Sequence, residues 1–346
     1  MKVKWGVIGA AGIADRRTIP GMMLANNAEL VAVMEVNMEL AEKIRKKYNA
    51  KMAYDSADAL LADPEVEAVY IASPVVYHKE QAIKAAKAKK HILLEKPVAL
   101  TTEDGAEVLK ICREEGVLAA SGFMMRYHAY HQKMKEIVHS GRLGNIVSCR
   151  AQLTCWYPEI EGAWRQKQSL SGGGAMMDMG VHCIDLLQYI TGKKTKKVVG
   201  FSGNKTFNYE VEDSASAVLE LEDGIYAYVD ANFNIPDAAA RGRMEIYGTK
   251  GSLLAEGTIG QVEGGRVETY FSEDSLGYNA QQDRDGESTG VLKTEFGNMY
   301  TKEIESFSKS ILEGKLCEVP AEDAVQVQKV VEAVYESSAS GKVILI

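Results

Sequence analysis

The stretch "VKWGVIGAAGIA", residues 3–14, decides the fold. Val7 and Ile8 close an apolar strand, and Gly9 follows at once. A strand running into a glycine turn and then a helix is the opening of a dinucleotide-binding unit. Such a unit wants glycine at the first turn position and a second glycine where backbone meets pyrophosphate. It also wants a small residue where helix packs on strand. Here those positions hold Gly9, Ala11 and Ala14. Ala11 departs from the ideal glycine, although Gly12 follows directly. Helix N-terminal amides can still face a diphosphate. The bland alternative is a glycine-rich turn with no ligand. Its place, after the first strand and before a helix, weighs against that.

Outward from this turn, the first third alternates apolar strand-like runs with helical segments. "AELVAVMEV" reads as a strand and "MELAEKIRKKYN" as a helix. "VEAVYIASP" and "HILLEKP" are buried strands around the helical "HKEQAIKAAKAKK". "TTEDGAEVLKICREEG" has a Thr cap, early acids and a closing glycine. "VLAASGF" adds a strand. The expectation is an α/β Rossmann domain, residues 1–123, with a doubly wound parallel sheet. After about Arg126 the pattern changes. "NIVSCRAQLTCWY" alternates with period two, and "DSASAVLELEDGIYAYVDANFN" reads as a hairpin turning at Asp223-Gly224. "GRMEIYGTKGSLLAEG" suggests another pair joined through glycines. Residues 124–346 are therefore expected to form an α+β substrate and oligomerisation domain with a large open antiparallel sheet. One apolar helix, Ala175 to Ile190, interrupts the strands and stops at Gly192. Residues 274–291 read as a long polar loop, and helices return near the end.

With 346 residues, 46% of them apolar and 25% charged, the chain suits a soluble two-domain protein. A net charge of −8 supplies no basic field for nucleic acid or an anionic membrane. The lysines of "KIRKKY" and "KAKK" fit solvated helix faces. No apolar run reaches membrane-spanning length, and "MKVKWGVIG" carries no signal-peptide core. Five widely spaced cysteines without a CxxC fit reduced thiols, so a cytoplasmic protein is expected.

The second strand should end in an acid for the adenosine ribose, and Glu35 stands there. Val36 follows it, with no arginine to receive a 2′-phosphate. NAD is the expected cofactor. NADP stays open, because a lysine from another loop could fold over.

Two further features suggest chemistry. "HILLEKPVAL", residues 91–100, runs an apolar strand into Glu95, Lys96 and Pro97. Proline fixes its own φ and restricts the residue before it, so Lys96 is aimed. The Lys96–Pro97 bond is expected to be cis. In "AMMDMGVHCIDLLQYITG", Asp178, His182, Asp185 and Tyr189 are four, three and four apart, one face of an otherwise apolar helix. Ionisable groups on a buried helix need partners, and a polyhydroxylated substrate would supply them. Gly172, Gly173 and Gly174 would let backbone lie close to a ligand. The plainer readings are a satisfied core histidine and an Asp178–His182 hydrogen bond. An Asp and a His four apart could ligate a metal, but no third ligand has suggestive spacing, so none is expected.

Together these stretches resemble the glucose–fructose oxidoreductase / inositol dehydrogenase / rhizopine catabolism family, Gfo/Idh/MocA. The resemblance spans the chain. It rests on "VIGAAGIA", "ASPVVYHKEQAIKAAKAKKHILLEKPVAL", "WRQKQSLSGGGAMMDMGVHCIDLLQYITG" and "AEDAVQVQKVVEAVYESSASGK". It implies a Rossmann domain, an open antiparallel sheet that often forms the oligomer interface, and NAD(P)-linked redox chemistry at a secondary carbinol of a sugar or cyclitol. The cofactor set is then Gly9, Ala11, Gly12, Ile13, Glu35, Ser73, Pro74, His78, Glu95 and Lys96. The substrate set is Arg126, Tyr157, Trp164, Arg165, Asp178 and His182. His182 is the implied acid/base, Lys96 its electrostatic partner and Asp178 the orienter. Substrate contacts transfer least well within a fold.

The chemistry is coherent. Oxidising an alcohol removes a hydride and a proton, and an imidazole suits the proton. A nearby ammonium stabilises developing alkoxide charge and keeps the imidazole neutral. Lys96 as the base is the inverted assignment and stays open. Three rivals stand beside this reading. One is a glycosidase that oxidises its substrate transiently, another a non-catalytic nucleotide-binding sensor, and the third an enzyme for a dihydrodiol or pyrroline. A small-molecule substrate and a homodimer or homotetramer packed through the sheet face are the expected partners.

Overall fold

The computed structural model describes residues 1–272, 280 and 289–346. The alternating first third forms one parallel sheet of β1 (Val3–Ile8), β2 (Ala28–Met34), β3 (Met52–Tyr54), β4 (Ala68–Ile71), β5 (His91–Leu94) and β6 (Ala119–Ser121). Their order is β3-β2-β1-β4-β5-β6. The chain winds outward from β1 to β3, then restarts beside β1 with β4. At that reversal the connections leave in opposite directions and open a crevice at the carboxyl ends of the strands. Helices α1 (Ile19–Leu24), α2 (Met38–Tyr48), α3 (Ala57–Leu61), α4 (His78–Lys87) and α5 (Thr102–Glu115) make the crossovers. Covered on both faces, the strands are largely apolar, and Trp5, Val7, Tyr70 and Leu93 are fully buried. Local chemistry sets the helix ends. Asn37 accepts the Leu40 N–H at 3.0 Å, Thr101 accepts the Asp104 N–H at 3.1 Å, and Gly116 closes α5 at φ 70°.

The second sheet has nine strands: β7 (Ile146–Thr154), β8 (Thr195–Gly203), β9 (Ser214–Leu221), β10 (Tyr226–Asn232), β11 (Arg243–Gly248), β12 (Gly251–Glu256), β13 (Arg266–Phe271), β14 (Thr289–Val291) and β15 (Ile344–Leu345). They run in the order β14-β13-β12-β11-β7-β10-β9-β8-β15. All neighbours are antiparallel except β7 and β10, which pair in parallel, so the sheet is mixed. The expected hairpin is present: β9 turns into β10 through Asp223 and Gly224, at φ 59° and 74°. The loop expected over 274–291 lies outside the described residues, apart from 280 and β14.

The remaining helices are α6 (Ala129–His139), the short α7 (Gln168–Ser171), α8 (Val181–Thr191), α9 (Met299–Glu313) and α10 (Ala321–Ser340). The helix expected over 175–190 is in two parts, a wide π-turn at Met176–Gly180 continuing into α8, which ends at Gly192. α8 is buried along its whole length against α6, β7 and β10. Among the described residues, no helix is long and apolar enough to cross a membrane.

The chain divides into two compact units. One comprises Met1–Tyr127, Gly162–Gly172 and Gly297–Lys329, and the other His128–Glu161, Gly173–Phe296 and Val330–Ile346. The sequence suggests one division near residue 123, whereas the chain returns twice to the first unit. α9 returns because its partners are there. Trp5 Nε1 donates to Ser308 Oγ at 3.1 Å, and Thr301 Oγ1 donates to the Gly21 carbonyl at 2.9 Å. An amphipathic pattern shows that a helix has a buried face, but not which sheet that face covers.

Candidate active-site residues

The nucleotide turn is built by close backbone approach. Gly9 has φ +74°, and a Cβ on it would lie 2.7 Å from the Ser73 backbone nitrogen. Only glycine fits, so the turns after β1 and β4 touch at the reversal point. Gly12 has φ +60°, and a Cβ there would meet nothing within 4 Å, leaving open space beside the turn. Glu35, at the end of β2, accepts the Ala11 N–H at 2.7 Å. Its carboxylate thereby fastens the turn on which a diphosphate would rest. Ile13 is half-buried and leads into a π-turn, Ala14–Thr18, ahead of α1. A backbone cradle, open space and an acid at the end of β2 all suit a dinucleotide.

The next two turns share a buried histidine. Ser73 and Pro74 follow β4, and Ser73 Oγ donates to Gln81 Oε1 at 2.6 Å. His78 opens α4 with Nε2 2.8 Å from the Ser73 carbonyl and Nδ1 2.9 Å from the Pro97 carbonyl. Burial pushes its imidazole down to about 4, against the pull of those carbonyls. The ring is neutral at pH 7, a structural bridge between the two turns.

Lys96 stands at the carboxyl end of β5, the same sheet edge as the glycine turn, and its bond to Pro97 is cis, as expected. Glu95 turns inward. It bonds the Tyr70 hydroxyl and accepts the Lys96 backbone N–H at 3.2 Å. Burial raises its carboxyl, opposed by the Tyr70 hydroxyl and the Lys96 charge. Arg165 stacks 4.4 Å from the Trp164 ring, and its charge is felt by both His78 and Glu95. These two substrate candidates therefore belong with Lys96 in the first unit. Arg126 is in that unit too, buried and paired with Asp323 at 2.9 Å.

Asp178, His182 and Tyr157 belong to the second unit. Asp178 is half-buried in the π-turn, and His182 is buried at the second position of α8. A π-turn inserts one residue relative to a straight helix, so the stripe read from spacing is not a single straight face. Its far end is structural. Lys135 Nζ sits 3.8 Å from the Tyr189 ring centre, and Gln188 Oε1 accepts the Thr195 N–H at 3.0 Å. Tyr157 packs on Phe233 with ring centres 5.1 Å apart. Among the described residues no His, Cys, Asp and Glu cluster suits a metal ion.

Sequence reasoning missed Glu212 and Tyr335, which hold the start of this helix. Glu212 Oε2 accepts the Gly174 N–H at 2.8 Å and Oε1 the Met176 N–H at 2.9 Å. Two acids just before an alternating strand, in "VEDSASAV", were the available signal. The glycine reading is also corrected. A Cβ on Gly173 would lie 2.2 Å from the Tyr335 hydroxyl, and one on Gly174 would lie 1.9 Å from the Glu212 carbonyl oxygen. These two glycines make room for protein groups.

A model for an oxidoreductase family with an NAD-binding Rossmann fold matches residues 3–123, and the GFO/IDH/MocA C-terminal domain matches 131–254. The chain belongs to the Gfo/Idh/MocA family. As a member it is an NAD(P)-dependent oxidoreductase acting on CH–OH groups. It is 28% identical to 1,5-anhydro-D-fructose reductase of Ensifer adhaerens over 340 residues, 98% of this chain and 97% of that one. It is also 28% identical to the NADP(+)-named D-xylose 1-dehydrogenase 2 of Haloferax volcanii, over 97% of this chain and 98% of that one. Among solved structures, aldose-aldose oxidoreductase from Caulobacter crescentus matches with a TM-score of 0.90 at 21% identity, covering 100% of both chains.

Proposed function

We propose that this chain moves a hydride between a nicotinamide cofactor and a secondary carbinol or ketone of a sugar, glycoside or cyclitol. The observation that carries the reading is Lys96 at the carboxyl end of β5, on the same sheet edge as the Gly9 turn. The names of the relatives, a reductase of an anhydro-sugar and a dehydrogenase of a pentose, support the substrate class. Gly9, Ala11, Gly12 and Ile13 would hold the diphosphate, Glu35 the ribose, and Ser73 and Pro74 the nicotinamide end, with His78, expected there from the sequence, buried beneath as the bridge that fixes their turn. Glu35 followed by Val36 favours NAD over NADP. When bound, the nicotinamide accepts or returns the hydride.

The chain's own residues handle charge and protons. His182 takes the carbinol proton in oxidation and returns it in reduction. The Lys96 ammonium hydrogen-bonds the substrate oxygen as negative charge grows there. Asp178 orients the imidazole. Trp164, Arg165 and Tyr157 supply ring faces and a charge for hydroxyls, whereas Arg126, expected in the same substrate set, is buried and paired with Asp323. The five free cysteines suit a cytoplasmic setting. Phe201, Tyr226 and Tyr228, exposed on the nine-stranded sheet, suit a homodimer or homotetramer.

The test is a panel of pyranoses, glycosides and inositols with NAD⁺ or NADP⁺, read at the reduced-nicotinamide absorbance. Accumulating reduced cofactor supports the reading. Aglycone release without it would turn the assignment to a glycosidase. Lys96→Ala and His182→Ala should each lower kcat/KM by about 10²-fold or more. Serving one step, the two losses should not add in the double variant. Wild-type rates in both single variants would reject the reading.

A further inference from the structure

The helix that carries Asp178 and His182 starts after three glycines and has no side-chain cap of its own. Its first amides are nonetheless all taken. Glu212 accepts the N–H of Gly174 at 2.8 Å and of Met176 at 2.9 Å through its two carboxylate oxygens. Its backbone carbonyl accepts the Ala175 N–H at 3.1 Å. The Tyr335 hydroxyl accepts the Met177 N–H at 3.2 Å and donates to Glu212 Oε1 at 2.8 Å. Four consecutive amides are thus held by two residues far away in the chain.

A helix start leaves its first amides without internal partners, and a carboxylate there meets the positive end of the helix dipole. The arrangement does more here, because the clasped segment is the π-turn Met176–Gly180 that contains Asp178. A wide turn is a rare geometry, found mostly as single turns and often at functional sites. Glu212 is 9% exposed, so the clasp is shielded from water. Gly173 and Gly174 are shaped to it, as no side chain would fit against Tyr335 or the Glu212 carbonyl.

We propose that Glu212, backed by Tyr335, is a positioning residue for the reaction: it fixes the π-turn and through it the directions of Asp178 and His182. The inference rests on the roles given to those two residues above. A cap with a purely structural role would lower the melting temperature and leave the kinetics of the folded enzyme alone. A positioning clasp changes kcat more than KM.

The experiment uses the full chain, Glu212→Gln and Tyr335→Phe, with His182→Ala as reference. Each is assayed with the panel sugar that gives the strongest reduced-nicotinamide signal. Glu212→Gln keeps the shape but turns an amide donor toward an N–H or a hydroxyl. It should lower kcat about 10- to 100-fold, with NADH affinity and KM within about twofold of wild type. Tyr335→Phe removes one hydroxyl and is the milder variant should Glu212→Gln fold poorly. It should lower kcat several-fold. In both, hydrogen exchange at residues 174–177 should quicken by about tenfold or more. Wild-type turnover in folded Glu212→Gln or Tyr335→Phe, beside an inactive His182→Ala, overturns this inference alone. Unchanged exchange at those amides does the same. Wild-type turnover in His182→Ala overturns the role given to His182 and this inference with it, and wild-type turnover in Lys96→Ala as well overturns the functional reading.

Discussion

His78 shows how much one buried ring can carry. It lies between the Ser73 and Pro97 carbonyls, 1% exposed, yet a neutral imidazole donates to only one of them. Protonation would satisfy both, but must charge a ring shut away from water, and burial holds it at about 4 against an ordinary 6.5. The sign follows. Above pH 6.5 the ring is neutral folded and unfolded, and its contribution is complete. Between 6.5 and 4 the unfolded chain takes up a proton that the folded one refuses, so stability falls with pH. The whole effect is worth about 3 kcal/mol. Urea unfolding of wild type and His78→Gln at pH 7.5 and 4.5 checks it: the wild type should lose about that much more. A His78 resonance titrating near 6.5 in the folded protein would reject it. Gly9 makes a second case at this scale. Gly9→Ala meets both a positive φ and the Ser73 backbone, and should cost ~1–3 kcal/mol in urea unfolding along with NADH affinity.

At the scale of elements, starts and stops come from adjacent residues. Thr101 caps α5 through the Asp104 amide, so Thr101→Ala should cost about 1 kcal/mol by denaturant midpoint, with activity unchanged. The β9–β10 hairpin needs two residues at positive φ, and Asp223-Gly224 supplies them. Both features were readable because the interacting groups are close in sequence. The helix of Asp178 and His182 was readable only in part. Its apolar length and closing glycine were plain. Its π-turn was not, because the groups that hold it come from residues 212 and 335.

At the scale of the molecule, the nine-stranded sheet turns one side to the core and leaves the other open. Along β10, Ala227, Val229 and Ala231 are buried while Tyr226 and Tyr228 are 53% and 41% exposed. Phe201 is 74% exposed on β8, and Val218 is 43% exposed on β9. These large apolar side chains lie among polar ones such as Arg150, Asp230 and Glu245, the mixed kind of surface on which copies of one chain pack. Light scattering after size exclusion should find a dimer or tetramer, and Phe201→Lys with Tyr228→Lys should shift it toward monomer. A wild-type monomer at micromolar concentration would end the proposal.

The alternation of strands and helices, the glycine turn at residue 9, the cap at 101 and the cis bond before Pro97 were all legible in the chain. Each depends on sterics and hydrogen bonds among neighbours along the backbone. The folded structure alone decided that α9 returns to cover Trp5, that Arg126 pairs with Asp323, and that Glu212 and Tyr335 clasp the start of the Asp178 helix. Those pairings join groups from about forty to three hundred residues apart. Which distant surfaces meet is settled by how whole faces pack, and no local pattern encodes that.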